Sequence, residues 1–160
     1  MLEQGRCQNH AAYGCIPNGP FILDSTTNIA YIAPIKESDI QYDDIFFNEA
    51  LAVVSALEWA AHLLEHPHQI LIQTNSMNMV NIWHSLAPLD DYALLLLYRV
   101  EIMMDYSVDV WVTHIPGTDN MVTNALSRSL FDTATNYIPD LQISSFTPPC
   151  EKLGVKQGNT

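Results

Sequence analysis

Residues 69–86 read QILIQTNSMNMVNIWHSL. The opening run, QILIQ, is short and apolar at its centre, as a buried strand requires, and MNMVNIWHSL behind it carries helical periodicity. Thr74 and Asn75 stand at the junction. In α/β proteins a polar pair at a strand end that opens a helix is a usual place for chemistry, because ligands settle beyond the carboxyl ends of the strands. Here an amide occupies the position where catalysis would want an acid, and that substitution bears on whether the chain is an enzyme.

Working outward, IFFNEALAVVSALEWAAHLLEH precedes the strand and is apolar on nearly every face from Ala50 to Leu64, which predicts a long helix buried by a sheet. Pro67 ends it. QILIQT, apolar at its core, is expected to be a central, parallel strand. Three β-like stretches come earlier, AAYGCI, GPFILD and NIAYIAPI, with turn chemistry at Pro17-Asn18-Gly19-Pro20 and at Ser25 to Asn28. Downstream, helices are expected over Ser76 to Leu86 and Asp90 to Tyr106, then a strand in VDVWVTHI, a turn at Pro116-Gly117 and a short helix in NMVTNALSRSL. The order βββ-α-β-α-α-β-α predicts an α/β fold: a mixed central sheet, antiparallel meander plus parallel strands, with helices on both faces. Residues 1–129 are expected to form the domain, its first strand incomplete because MLEQGRCQ is poor strand material. Residues 130–160, with Pro139, Pro148 and Pro149, are expected to be an extended tail or linker.

With 160 residues, one domain can bury about two-thirds of its unfolded surface. No run of about 20 apolar residues exists, so no membrane-spanning helix is expected. The start lacks a signal-peptide profile, the three cysteines show no CxxC spacing, and there is no N-x-S/T sequon. An intracellular protein, cytoplasmic or nuclear and not secreted, is the expectation. Net charge is −12, and only Lys36, Arg99 and Arg128 are basic between the first strand and the last core helix. A tight grip on a polyanion needs several basic contacts, so the charge balance counts against strong nucleic-acid binding.

Four stretches carry a resemblance: FFNEALAVVSALEWA, ILIQTNSMNMVNIWHSL, HIPGTDNMVTNALSR and, more loosely, NHAAYG. In this order they resemble the first long helix, the T-D-S element, the P-G-x-x-N-x-x-A-D-A-L-S-R signature and the opening D-x-S-x-x-G of ribonuclease H domains in fungal retroelement polyproteins, over roughly residues 7 to 154. The tail, IPDLQISSFTPPCEKLG, resembles the segment that leads onward in such polyproteins. The resemblance implies a ribonuclease H-like fold next to reverse transcriptase and integrase portions, and an activity that hydrolyses RNA in RNA/DNA hybrids. It also implies four carboxylates around two divalent ions, Mg²⁺ or Mn²⁺, one generating the attacking hydroxide and the other stabilising the leaving oxygen.

Carried over, the four acids fall at Asn9, Glu49, Asn75 and Asn124, of which Glu49 alone is an acid. An amide keeps the shape of aspartate and offers a carbonyl oxygen, without charge. Each lost charge pair is worth about 4 kcal/mol at contact distance and an effective dielectric near 20. The expectation is a degenerate, catalytically inactive domain that holds no metal cofactor and binds a hybrid weakly or not at all. Thr123 stands where the signature has alanine, and Asp to Asn and Ala to Thr each take one G-to-A change, a pattern of element decay.

Two other readings are open: an active nuclease with a rearranged site drawing on Asp119 or Asp24, and a protein-interaction or scaffolding module. Glu49 reads either as a helix-start cap or as a weak residual cation ligand. His62 and His66 have the spacing of a metal pair, with Glu58 one turn earlier, though a solvated helix end is the simpler reading. His114, before the Pro-Gly turn, is a strand-end residue with a possible role in catalysis or product release. Trp59, Trp83 and Trp111 are expected in the core.

Overall fold

The structure is a computed structural model that describes residues 9–16, 19–33, 45–63, 68–85 and 93–149, with the backbone alone described for 9–16, 19 and 45–46. Six strands and five helices are found among them. The strands are β1 (Asn9–Ile16), β2 (Gly19–Asp24), β3 (Ile29–Ile32), β4 (Gln69–Thr74), β5 (Asp109–His114) and β6 (Gln142–Ser145). The helices are α1 (Ile45–Ala61), α2 (Met77–Ser85), α3 (Ala93–Tyr106), α4 (Met121–Ser127) and α5 (Phe131–Tyr137). They build one mixed sheet in the order β5-β4-β1-β2-β3-β6. β1, β2 and β3 form an antiparallel meander, while β4 lies parallel to both β1 and β5. The stretch MLEQGRCQ and the link KESDIQYDD lie outside the described residues.

The alternation of β2 divides the core. Ile22 turns into a cluster with α1, α2, α3, Ile70, Ile72 and Val112. Phe21 and Leu23 turn the other way, into a cluster with Ala125 and Leu126 of α4 and Ala134 of α5. Successive strand side chains point to opposite faces, so helices cover both faces of the sheet. Every residue of α1 from Ala50 to Leu57 is buried, which explains why this helix is apolar all round. At the β2–β3 turn Asn28 takes a left-handed conformation (φ 55°), and Asp24 accepts hydrogen bonds from the Thr26 amide (2.9 Å) and the Thr27 hydroxyl (2.6 Å). No helix among the described residues is long and apolar enough to cross a membrane.

The extended tail expected from residue 130 is not what the chain forms over 131–145. α5 runs to Tyr137, the residue before Pro139 is the Ile138 cap, and β6 follows. Two causes outweigh the local sequence. Ala134 and Leu141 bury against the second cluster, and β6 takes its backbone partners from the edge of β3, with Gln142 N–H donating to Asn28 and Phe146 N–H to Ile32. Residues 150–160 lie outside the described residues.

Candidate functional site

At the carboxyl end of β4 the strand passes directly into α2. Thr74 is buried, and its hydroxyl oxygen accepts the Ser76 amide at 3.0 Å, satisfying a backbone donor at the start of α2. Ser76 in turn donates its hydroxyl to Glu49 Oε2 at 2.8 Å, with both groups half-buried. Glu49 lies beyond the first turn of α1, so it is not the cap of that helix, as one reading of the sequence held. Its carboxylate reaches across to the β4–α2 junction, beside Asn75. The sequence marks Ser76 as the helix start but carries no sign of its contact with Glu49, although a Thr-x-Ser ending a strand is the pattern of a hydroxyl-capped helix start.

His114 is also at this end. It pairs in register with Thr74, and Ile115 N–H donates to the Thr74 carbonyl at 2.8 Å. The imidazole is exposed. From there residues 115–120 carry the chain to α4, which packs on β1 and β2. Asn120 caps α4 by accepting the Thr123 amide at 3.2 Å, and the Thr123 hydroxyl donates back to the Asn120 carbonyl at 3.2 Å. A threonine in place of alanine is therefore accommodated at this position. Asn124, half-buried on α4, belongs to the second face of the sheet, whereas Glu49 belongs to the first.

Asn9 does not come to this end. It pairs with Ile70, five residues before Asn75, and at about 3.3 Å per residue the two lie some 16 Å apart along the strands. The β1 residues that come level with Asn75 are those beyond Ala12, which pairs with Gln73. The alignment of Asn9 with the first acid is thus not matched by the register. The mismatch leaves the chemistry unchanged, because β1 reads NHAAYGCI and has no acid anywhere along it.

The two acids considered for a rearranged site are placed elsewhere. Asp24 sits two strands from β4, about 10 Å across the sheet, and its carboxylate is occupied by the β2–β3 turn. Asp119 is exposed in the Pro116–Asp119 turn, where its amide donates to the Pro116 carbonyl at 2.9 Å. Among the described residues no three His, Cys, Asp or Glu side chains are gathered as a metal site.

At the far end of α1, His62 is exposed, with Nδ1 2.7 Å from the Glu58 carbonyl and Nε2 2.9 Å from the Tyr106 hydroxyl. Both ring nitrogens have protein partners, and His66 lies outside the described residues. The Tyr98 hydroxyl donates to the Glu58 carboxylate. An open groove of about 330 Å³ runs here past Ser55, Trp59 and Phe146, away from Glu49. Trp83 is buried and Trp59 packs on Tyr31, but Trp111 is 59% exposed. The departure has a simple cause: Val110 and Val112 of edge strand β5 face α2 and α3, which turns Trp111 to the opposite side.

No protein-family model matches this chain, and no curated protein and no solved structure matches it.

Proposed function

We propose that this chain is a ribonuclease H-like domain of retroelement origin that has lost its two-metal centre and does not cleave RNA. One observation carries the reading. The carboxylate of Glu49, the acid retained in the resemblance, is delivered to the end of β4 and engages Ser76. The neighbouring position is the amide Asn75, and β1 brings no acid to that end. The element order from β1 to α4, with β1 central between β4 and β2, supports the fold half of the reading.

The donor set does not fit a pair of divalent ions. Mg²⁺ takes oxygen ligands and is held by one or two carboxylates besides substrate phosphates, and two such ions need several anions between them. Among the described residues a single carboxylate, tied to a serine hydroxyl, stands there against four positive charges. A half-buried carboxylate is stable in that setting, because the Ser76 hydroxyl donates to it. Its role becomes structural: it fastens α1 to the β4–α2 junction.

The test is an RNA/DNA hybrid cleavage assay with Mg²⁺ and with Mn²⁺, run beside the Glu49→Gln variant. The expected result is no cleavage above background in either protein. Metal-dependent cleavage that disappears in Glu49→Gln would overturn the reading.

A further inference from the structure

Helix α3 carries two apolar faces, and the core uses only one. Leu95, Tyr98, Arg99 and Ile102 are buried. On the other side Leu97 is 66% exposed, Met104 74%, Leu94 55% and Val100 44%. At 100° per residue Leu97, Val100 and Met104 fall within about 60° of one another, opposite Ile102. With Ala93 they follow at steps of four, three and four residues. That is the spacing of a seam that receives a second helix, knobs into holes. Solitary exposed apolar residues are ordinary, but a contiguous stripe of them marks an interaction surface.

The charge beside the stripe selects the occupant. Glu101 and Asp105, both exposed, lie along one edge of the stripe. A second copy of this chain would bring the same acidic edge and a net charge of −12 with it, so self-pairing is opposed by repulsion. We propose that the outer face of α3 is a docking seam for an amphipathic helix of another protein, one with apolar residues at heptad spacing and Lys or Arg along the edge that meets Glu101 and Asp105. This surface is separate from the Glu49 end of the sheet and stands whatever the fate of the metal centre.

The probe is a synthetic helical peptide of about three heptads, long enough to hold a helix, with leucines at the seam positions and lysines beside them. A twin carries glutamates in place of the lysines. Binding to the whole chain is followed by fluorescence anisotropy at low and moderate salt, and self-association by analytical ultracentrifugation. The lysine peptide is expected to bind saturably and at least about tenfold tighter than its twin, with the preference shrinking as salt rises. Leu97→Ser combined with Met104→Ser, at positions already in solvent, should weaken it by about tenfold or more. Glu101→Gln with Asp105→Asn should remove most of the salt dependence while leaving residual apolar binding. Failure of the lysine peptide to bind overturns the proposal, as does equal binding of the two peptides. So does affinity unchanged by the leucine and methionine substitutions, or dimerisation of the chain that those substitutions abolish.

Discussion

Replacing Ser76 by alanine deletes the hydroxyl that Glu49 holds at 2.8 Å. A hydrogen bond to a charged group contributes about 1.5–3 kcal/mol net when buried. Both partners are half-buried, so water replaces part of it, and about 1–2 kcal/mol is the expected loss. For a chain of this size that corresponds to a drop of roughly 3–6 °C in the unfolding midpoint. The informative experiment is a double-mutant cycle of Ser76→Ala and Glu49→Ala, followed by urea unfolding at neutral pH. If the Glu49 carboxylate serves the fold, the coupling energy is about 1–2 kcal/mol and is the same with and without millimolar Mg²⁺. A metal ligand would behave otherwise: the ion would compete with the hydroxyl, and the coupling would change when Mg²⁺ is added. Coupling below about 0.5 kcal/mol, or a clear Mg²⁺ dependence, would refute the structural role assigned to Glu49.

Thr74→Ala leaves the Ser76 amide at the start of α2 without its 3.0 Å acceptor and should cost about 1–2 kcal/mol in the same unfolding assay. Leu141→Ala, at a buried position just before β6, should cost about 2–3 kcal/mol by urea unfolding, whereas a loss near zero would mean that this segment is the extended tail its sequence suggests. The Arg99 guanidinium lies 4.0 Å from the Trp83 ring centroid and donates to the Trp83 carbonyl at 3.0 Å, while its Nε has no partner among the described residues and burial lowers its pKa. Arg99→Met keeps the volume and removes a poorly solvated charge, so its stability should stay within about 1 kcal/mol of the parent, while Arg99→Ala should lose about 2–4 kcal/mol.

Most of the scaffold was legible because its signals were local and consistent. QILIQT alternates in burial and lies inside the sheet, parallel to both neighbours, and the all-round apolar run of α1 marks a helix covered on several sides. What could not be read were features created by distant partners. β6 is four exposed residues with no periodicity, and it is a strand only because β3 offers an unpaired edge. The tie between Glu49 and Ser76 joins residues 27 apart; each element is legible from its own residues, but their contact is not. The level of Asn9 depended on the register between β1 and β4, and a strand shifted by even a few residues moves a candidate ligand by an ångström-scale multiple of the rise. The outer stripe of α3 was hidden in plain sight, since a helix rich in leucine reads as core whether or not both faces are covered.

The central claim is electrostatic: the one anion that the described residues bring to the end of β4 is too few to gather two divalent ions. Its most direct test is a crystal of the whole chain soaked in Mn²⁺ and measured at a wavelength where manganese scatters anomalously. The account predicts no pair of anomalous peaks between Glu49, Asn75 and Asn124. Two peaks about 4 Å apart, bounded by the Glu49 carboxylate and the two amide side chains, would contradict it.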